Sequence, residues 1–122
     1  MTIATMPVAV AVILEALDRL RISEMRKRAR KDMNQDEIVS TFRYLGFSVA
    51  ITSALGGGFP DIVIGKNEKN WLVEIKNGDL SPSERELTDD EKDFHEKWKG
   101  KIFIVNSVDE AITLVLKLSK EG

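Results

Sequence analysis

Residues 56–76 read GGGFPDIVIGKNEKNWLVEIK and place a glycine turn before two short apolar runs. The runs 61–65 and 70–76 are separated by a polar segment, which is typical of a hairpin between antiparallel strands. In the second run apolar residues occupy alternate positions, as in a strand with one buried face: Trp71, Val73 and Ile75. The stretch therefore predicts a β-hairpin that is entered through a turn.

The predicted hairpin brings together side chains that can bind a metal ion. Glu74 and Lys76 lie two residues apart on one strand, so both project from the same face. Asp61 opens the other strand, and cross-strand partners lie about 5 Å apart. Two carboxylates and the backbone carbonyl of Ile75 supply enough oxygen ligands for a hard cation such as Mg²⁺, because the ion retains several waters as its other ligands. Lys76 is then placed to hold a water and to neutralise charge on a phosphate, which is a pattern for phosphodiester hydrolysis. Taken alone, however, a Glu-x-Lys pair on a strand is more often an exposed ion pair.

The flanking sequence predicts further helices and strands around the hairpin. A helix begins at Asp32 or Asn34 and ends at Gly46, and an alternating strand follows at 47–53. After the hairpin, Thr88 and Glu91 form a capping-box pattern for a helix at 88–98. A nearly unbroken apolar strand at 101–106 and a helix capped by Ser107 complete the chain. This order predicts one α/β domain with a mixed sheet.

An additional N-terminal helix is predicted ahead of this domain. Residues 6–14 are apolar, but nine residues are far fewer than the roughly 20 that span a bilayer, so we predict no membrane contact and no secretory signal. Pro7 is suited to the first turn of the helix. Residues 21–31 hold six basic residues against one acid, which suits contact with backbone phosphate. We expect residues 1–31 to mediate dimerisation or DNA contact, and residues 32–122 to form the main domain.

Composition excludes several classes of site. The chain has 43% hydrophobic and 31% charged residues, as in a soluble globular protein, and its 122 residues fit one core. Because it has no cysteine, thiolate zinc sites, disulfides and a cysteine nucleophile are excluded, and a reducing, cytoplasmic location is expected. The net charge of −2 argues against indiscriminate polyanion binding. The glycine turn lacks the lysine and helix start of a phosphate-binding loop, so no nucleotide cofactor is expected.

Five segments in this order resemble the PD-(D/E)xK nuclease superfamily, with its restriction-endonuclease-like fold. More narrowly, they are similar to the small stand-alone VRR-NUC proteins of phages and prophages. The segments cover about three quarters of the chain: NQDEIV (34–39), GGGFPDIVIG (56–65), VEIK (73–76), LTDDEKDFHEKW (87–98) and KIFIVNSVDEA (101–111). The resemblance implies a mixed sheet of about four strands flanked by helices.

The resemblance also implies an activity and a site. It implies a Mg²⁺- or Mn²⁺-dependent DNA endonuclease with a metal bound by Asp61, Glu74 and the Ile75 carbonyl. Lys76 would be catalytic, and Glu37 would assist the metal or its water from the preceding helix. The implied substrate is branched DNA, such as a Holliday junction or flap, cleaved by a homodimer in a bacterial host cell. The chain departs from the family where a glutamine is usual, because Glu91 carries a negative charge that disfavours phosphate contact.

Other residues are candidates for contact with DNA: most lie in the turn, in the loop after the hairpin or on the basic helix, while the resemblance implies Gln35, and His95 lies one turn beyond Glu91. They are Gln35, Gly57, Gly58, Arg26, Lys27, Arg28, Arg30, Lys31, Ser81, Ser83, Arg85 and His95. Two alternatives stay open from the sequence: a nicking or restriction-type nuclease acting on linear duplex, and a catalytically silent DNA-binding protein of the same fold. The intact Asp61, Glu74 and Lys76 count against the silent protein.

Overall fold

The computed structural model describes residues 7–121, without the side chains of Glu24, Lys27, Arg28, Arg30 and Lys31. Its elements are α1 (Val8–Tyr44), β1 (Ser48–Ile51), β2 (Ile62–Lys66), β3 (Lys69–Ile75), a 3₁₀ turn (Pro82–Arg85), α2 (Asp89–Lys97), β4 (Ile102–Val105) and α3 (Val108–Lys120). The chain divides into two compact units, one ending at Asp32 and the other beginning at Met33. All four strands belong to the second unit.

The four strands form one mixed sheet in the order β1-β2-β3-β4. Strands β1, β2 and β3 are antiparallel neighbours, whereas β4 runs parallel to β3. The turn between β2 and β3 has positive φ at Asn67 and Glu68, the backbone twist that tight hairpins need. The predicted hairpin and the predicted α/β class are therefore both confirmed.

The core of the second unit lies on one face of this sheet. Alternate residues of β2 and β3 pack there against apolar positions of α1 and α3, and these side chains are almost completely buried: Ile62, Ile64, Val73 and Ile75 with Ile38, Phe42, Ala111, Leu114 and Leu118. Because the side chains of a strand alternate, Glu74 and Lys76 project from the opposite face. The hydrophobic pattern thus directs both charged groups away from the core.

The predicted helix boundary near Asp32 and Asn34 is wrong, because α1 is a single helix from Val8 to Tyr44. No glycine or proline interrupts that stretch, so nothing in it breaks the backbone hydrogen bonds. Asn34 does not cap a helix. Its Nδ2 donates to the backbone carbonyls of Lys76 at 2.8 Å and Asn106 at 3.3 Å, which ties the helix to the ends of β3 and β4.

The first unit is a helical segment whose apolar side chains are exposed. They include Val8, Val12, Ile13, Leu14, Leu17, Leu20, Ile22 and Met25. Within residues 7–32 the structure describes helix α1 alone, so no second element there removes these side chains from water. In the described part of the chain, no helix combines the length and the apolar character needed to cross a membrane. Met6, which begins the predicted apolar run, lies outside the described residues.

Candidate active site

Asp61 and Glu74 meet where β2 begins and β3 ends. Ile62 is the register partner of Val73, so one further step of the antiparallel pairing places Asp61 opposite Glu74. Asp61 is buried, and its Oδ2 accepts a hydrogen bond from the backbone N–H of Ile75 at 2.8 Å. Its own backbone carbonyl accepts from Thr52 N at 2.8 Å. Both the main chain and the side chain of Asp61 are therefore fixed next to Glu74.

Glu74 is a buried residue whose carboxyl group is incompletely hydrogen-bonded. Its side chain is only 1% exposed, and its Oε2 is buried without a hydrogen-bond partner among the described residues. Burial, followed by the nearby carboxylates of Glu91 and Asp61, raises the pKa of Glu74 well above its ordinary value. The raised pKa favours the protonated carboxyl while no further cation is bound, and ionisation of Glu74 would need additional positive charge nearby. A cation bound here would therefore stabilise the ionised form of Glu74.

The ammonium group of Lys76 lies between two carboxylates. Its Nζ is 2.7 Å from Oε1 of Glu91 and 3.8 Å from Oε1 of Glu74. The side chain is 12% exposed, and the backbone N–H donates to the carbonyl of Val105 at 3.1 Å. The backbone of Lys76 is thus fixed to Val105 at the end of the sheet, and its side chain extends to the carboxylates of Glu74 and Glu91.

Glu91 enters the site from the first turn of α2. The predicted capping box is confirmed, because Oγ1 of Thr88 accepts from Glu91 N at 3.2 Å while Oε1 of Glu91 accepts from Thr88 N at 2.8 Å. Burial acts to raise the pKa of Glu91, but hydrogen bonds with Glu74, Lys76 and the Thr88 backbone outweigh it, so the net shift is downward. The sequence predicted the cap but missed the contact with Lys76. Fifteen residues separate the two side chains, and no periodicity links them.

The glycine turn allows α2 to approach the hairpin. Gly58 has φ +81°, and a Cβ at this position would overlap the backbone carbonyl of Asp90. Next to it, the ring of Phe59 packs edge-on against Phe94 of α2, with centroids 5.2 Å apart. Gly57 has φ +64° but faces open space. Gly58, a candidate for contact with DNA, is therefore needed for close backbone packing.

The residues present fit a divalent cation of the Mg²⁺ type. Glu74 offers an unpartnered buried oxygen, Asp61 lies opposite, and the Ile75 carbonyl is adjacent. Within residues 7–121, no three acidic or histidine side chains already form a complete metal-binding group. The expected set does not require three, since Mg²⁺ commonly takes one or two carboxylates and fills its other positions with water.

Glu37 is the candidate site residue on α1, one turn beyond Asn34. It is exposed on α1 and lines a polar cavity of about 440 Å³ together with Asn34, Asn77 and Arg85, whereas neither Asp61 nor Glu74 lines it. The cavity adjoins the backbone just beyond the end of β3, because Asn34 in its wall donates to the Lys76 carbonyl. Within residues 7–121 Glu37, Asp61 and Glu74 do not form a group of three metal-binding side chains, and the part of Glu37 at the metal stays a prediction.

The DNA-contact candidates are scattered over the second unit and α1. Ser81 and Ser83 are exposed at the 3₁₀ turn, with their hydroxyl oxygens 3.2 Å apart, and Gln35 is half-buried on α1. Arg26 is exposed on α1. The side chains of the remaining basic candidates lie outside the described residues: Lys27, Arg28, Arg30 and Lys31.

His95 lies close enough to the site to interact with its charges. It is half-buried on α2, and its Nε2 is buried without a hydrogen-bond partner in the described part of the chain. Burial lowers the pKa of His95, the charge of Glu91 raises it, and the Lys76 ammonium lowers it, with a net downward shift. His95 is thus held as neutral imidazole around pH 7.

The order of strands and the mixed sheet with flanking helices define a restriction-endonuclease-like α/β fold. The chain is similar to a solved structure described as a VRR_NUC domain, with a TM-score of 0.57 and 22% sequence identity over 71% of this chain and 95% of that one. The predicted fold is therefore confirmed. No protein-family model matches the sequence. Comparison with curated proteins likewise finds no match.

Proposed function

We propose that this protein is a Mg²⁺- or Mn²⁺-dependent DNA endonuclease that hydrolyses phosphodiester bonds. The observation that carries the proposal is Glu74, a buried carboxylate with an unpartnered oxygen that lies opposite Asp61 and two residues before Lys76. The fold shared with a VRR_NUC domain supports it, since that name denotes a nuclease domain. A purely structural Glu74 would be expected to have both oxygens hydrogen-bonded.

Each residue of the site has a distinct task in this proposal. Asp61, Glu74 and the Ile75 carbonyl would hold the ion, and the hydrogen bond from Ile75 N fixes the orientation of the Asp61 carboxylate. When bound, the ion supplies Lewis-acid polarisation of the phosphate and lowers the pKa of a water. Lys76 donates hydrogen bonds to the attacking water and to a phosphate oxygen, which orients the attack and offsets the growing negative charge.

Branched DNA, such as a Holliday junction or flap, is the proposed substrate, and a homodimer is the proposed form. The exposed apolar side chains of the first unit support dimerisation, because a second copy of the same helix would cover them. Two copies would present two sites to the two strands of a branched duplex. Arg26 and its basic neighbours in the sequence would contact backbone phosphates without reading the bases.

A cleavage assay tests the proposed activity. The protein is incubated with four-way junction, flap, single-stranded and linear duplex DNA, each with Mg²⁺, Mn²⁺ or chelator. We expect cleavage of a branched substrate only with metal, and loss of at least about a hundredfold in rate for Lys76→Ala and Asp61→Asn. Preferred cleavage of linear duplex would favour a restriction-type enzyme. Failure of the wild type to cleave any substrate with metal would contradict the proposal.

A further inference from the structure

Lys76 has a closer anionic partner than the glutamate two residues before it. Its Nζ lies 2.7 Å from Glu91 and 3.8 Å from Glu74, so its hydrogen bond is made to Glu91. The Lys76 and Glu91 side chains are only 12% and 15% exposed, which shields their interaction from solvent. A lysine ammonium on a flexible four-carbon stem takes up a fixed position only when a partner restrains it.

Glu91 is itself restrained from two sides. Its Oε1, the atom that accepts from Lys76, also accepts from the backbone N–H of Thr88 at 2.8 Å. The contact of Gly58 with the Asp90 backbone sets how close the first turn of α2 lies to the hairpin. The acceptor oxygen therefore occupies a defined place, unlike the partners of exposed lysines.

We propose that Glu91 is a positioning residue for Lys76: its Oε1, anchored by the capping box of α2, holds the ammonium group beside Glu74. This inference rests on the proposed function for its catalytic consequence, because a positioned Lys76 matters most where it contacts the reacting water and phosphate. Helix α2 thereby contributes to the site through Glu91, whose negative charge is unfavourable for direct contact with DNA but suits an acceptor for the Lys76 ammonium.

Three variants of α2 separate positioning from capping. Glu91→Ala removes the acceptor for Lys76 and for Thr88 N together but keeps the backbone bond to Thr88 Oγ1, whereas Glu91→Gln keeps an amide oxygen that can accept from both Lys76 and Thr88 N. Thr88→Ala weakens the cap but leaves the carboxylate next to Lys76. Asp93→Ala is the matched control, since it removes an exposed ion pair with Lys97 from the same helix, at 2.9 Å in the structure.

Cleavage kinetics at saturating metal give the first readout. We expect Glu91→Ala to lower kcat about tenfold or more with KM changed less than about twofold, because the loss concerns orientation in the transition state. Glu91→Gln should restore kcat to within about threefold of wild type, and Asp93→Ala should leave it unchanged. Thr88→Ala should keep kcat at least about threefold above that of Glu91→Ala. A kcat for Glu91→Gln as low as that of Glu91→Ala would overturn the proposal, because the negative charge would then be what matters.

Side-chain NMR gives a second readout that does not depend on nuclease activity. In ¹⁵N-labelled protein the Lys76 ammonium, identified by its loss in Lys76→Arg, should give a signal in wild type and Glu91→Gln that disappears through rapid exchange in Glu91→Ala. An unchanged signal in Glu91→Ala would overturn the pairing. If the wild type cleaves no DNA, the proposed activity fails, while this signal still decides whether Glu91 holds Lys76.

Discussion

At the residue scale, the candidate site depends on two carboxylates in unequal surroundings. Asp61 accepts a hydrogen bond from Ile75 N, whereas Glu74 retains a buried oxygen without a partner among the described residues. Removing a group from water without a compensating bond lowers the stability of the folded state. A site that tolerates such a group is typical of function, and here the group lies opposite the aspartate that would share a cation with it.

His95 gives a prediction about stability against pH. Its folded pKa lies below the ordinary value of 6.5, so the unfolded chain binds a proton first as the pH falls. We therefore expect the free energy of unfolding to decrease as the pH falls from about 6.5 towards the lower folded pKa, with no contribution from this residue above that window. Urea denaturation of wild type and His95→Gln between about pH 5 and about pH 8 measures the difference in their free energies of unfolding across this transition.

The quantity to compare is the free energy of unfolding of wild type minus that of His95→Gln at each pH. The advantage of wild type over His95→Gln should shrink as the solution is acidified. A difference that is constant across the range, or one that grows towards acid, would contradict the burial of neutral His95.

At the element scale, the hairpin and helix α2 differ in how well the sequence predicts them. The hairpin was predictable because Trp71, Val73 and Ile75 alternate and because its turn is local. The capping box at Thr88 was predictable for the same reason, since its partners are three residues apart. The contact between Glu91 and Lys76 joins different elements, and no single-sequence pattern indicates it.

The failed prediction of a helix boundary at Asp32 and Asn34 has a related cause. Both residue types favour helix caps, but the tertiary contacts of Asn34 with Lys76 and Asn106 stabilise it inside a continuous helix. Glu37, one turn further on, lines a polar cavity that neither Asp61 nor Glu74 lines. Sequence order alone did not specify which side of the sheet the helix would face.

Gly58 provides the test at this scale. Alanine at Gly57 or Gly58 introduces a strained positive φ, at about 1–2 kcal/mol each. Only at Gly58 does the new Cβ also overlap the Asp90 backbone, which adds about 1–3 kcal/mol of overpacking. We expect chemical denaturation to show a clearly larger loss of unfolding free energy for Gly58→Ala than for Gly57→Ala. Equal losses would mean that α2 does not pack against the turn.

At the scale of the whole molecule, the exposed apolar side chains of the first unit predict self-association. Sedimentation at micromolar concentration should give twice the monomer mass for wild type, and the monomer mass for the double variant Ile13→Glu, Leu17→Glu, because two charges per copy would be buried in the interface. Leu116→Glu is the matched control, since Leu116 is also exposed on a helix but belongs to the second unit. A wild type that remains monomeric would contradict the proposed homodimer.

The central claim is that Asp61 and Glu74 together bind a divalent metal ion, and calorimetric titration with Mn²⁺ tests it most directly. We predict saturable binding by wild type and by the control Asp93→Asn, whose exposed carboxylate pairs with Lys97, and a loss of affinity of at least about tenfold for Asp61→Asn and Glu74→Gln. Unfolding midpoints for each variant confirm that the fold is retained. Mn²⁺ binding of equal affinity in wild type, Asp61→Asn and Glu74→Gln would contradict the account.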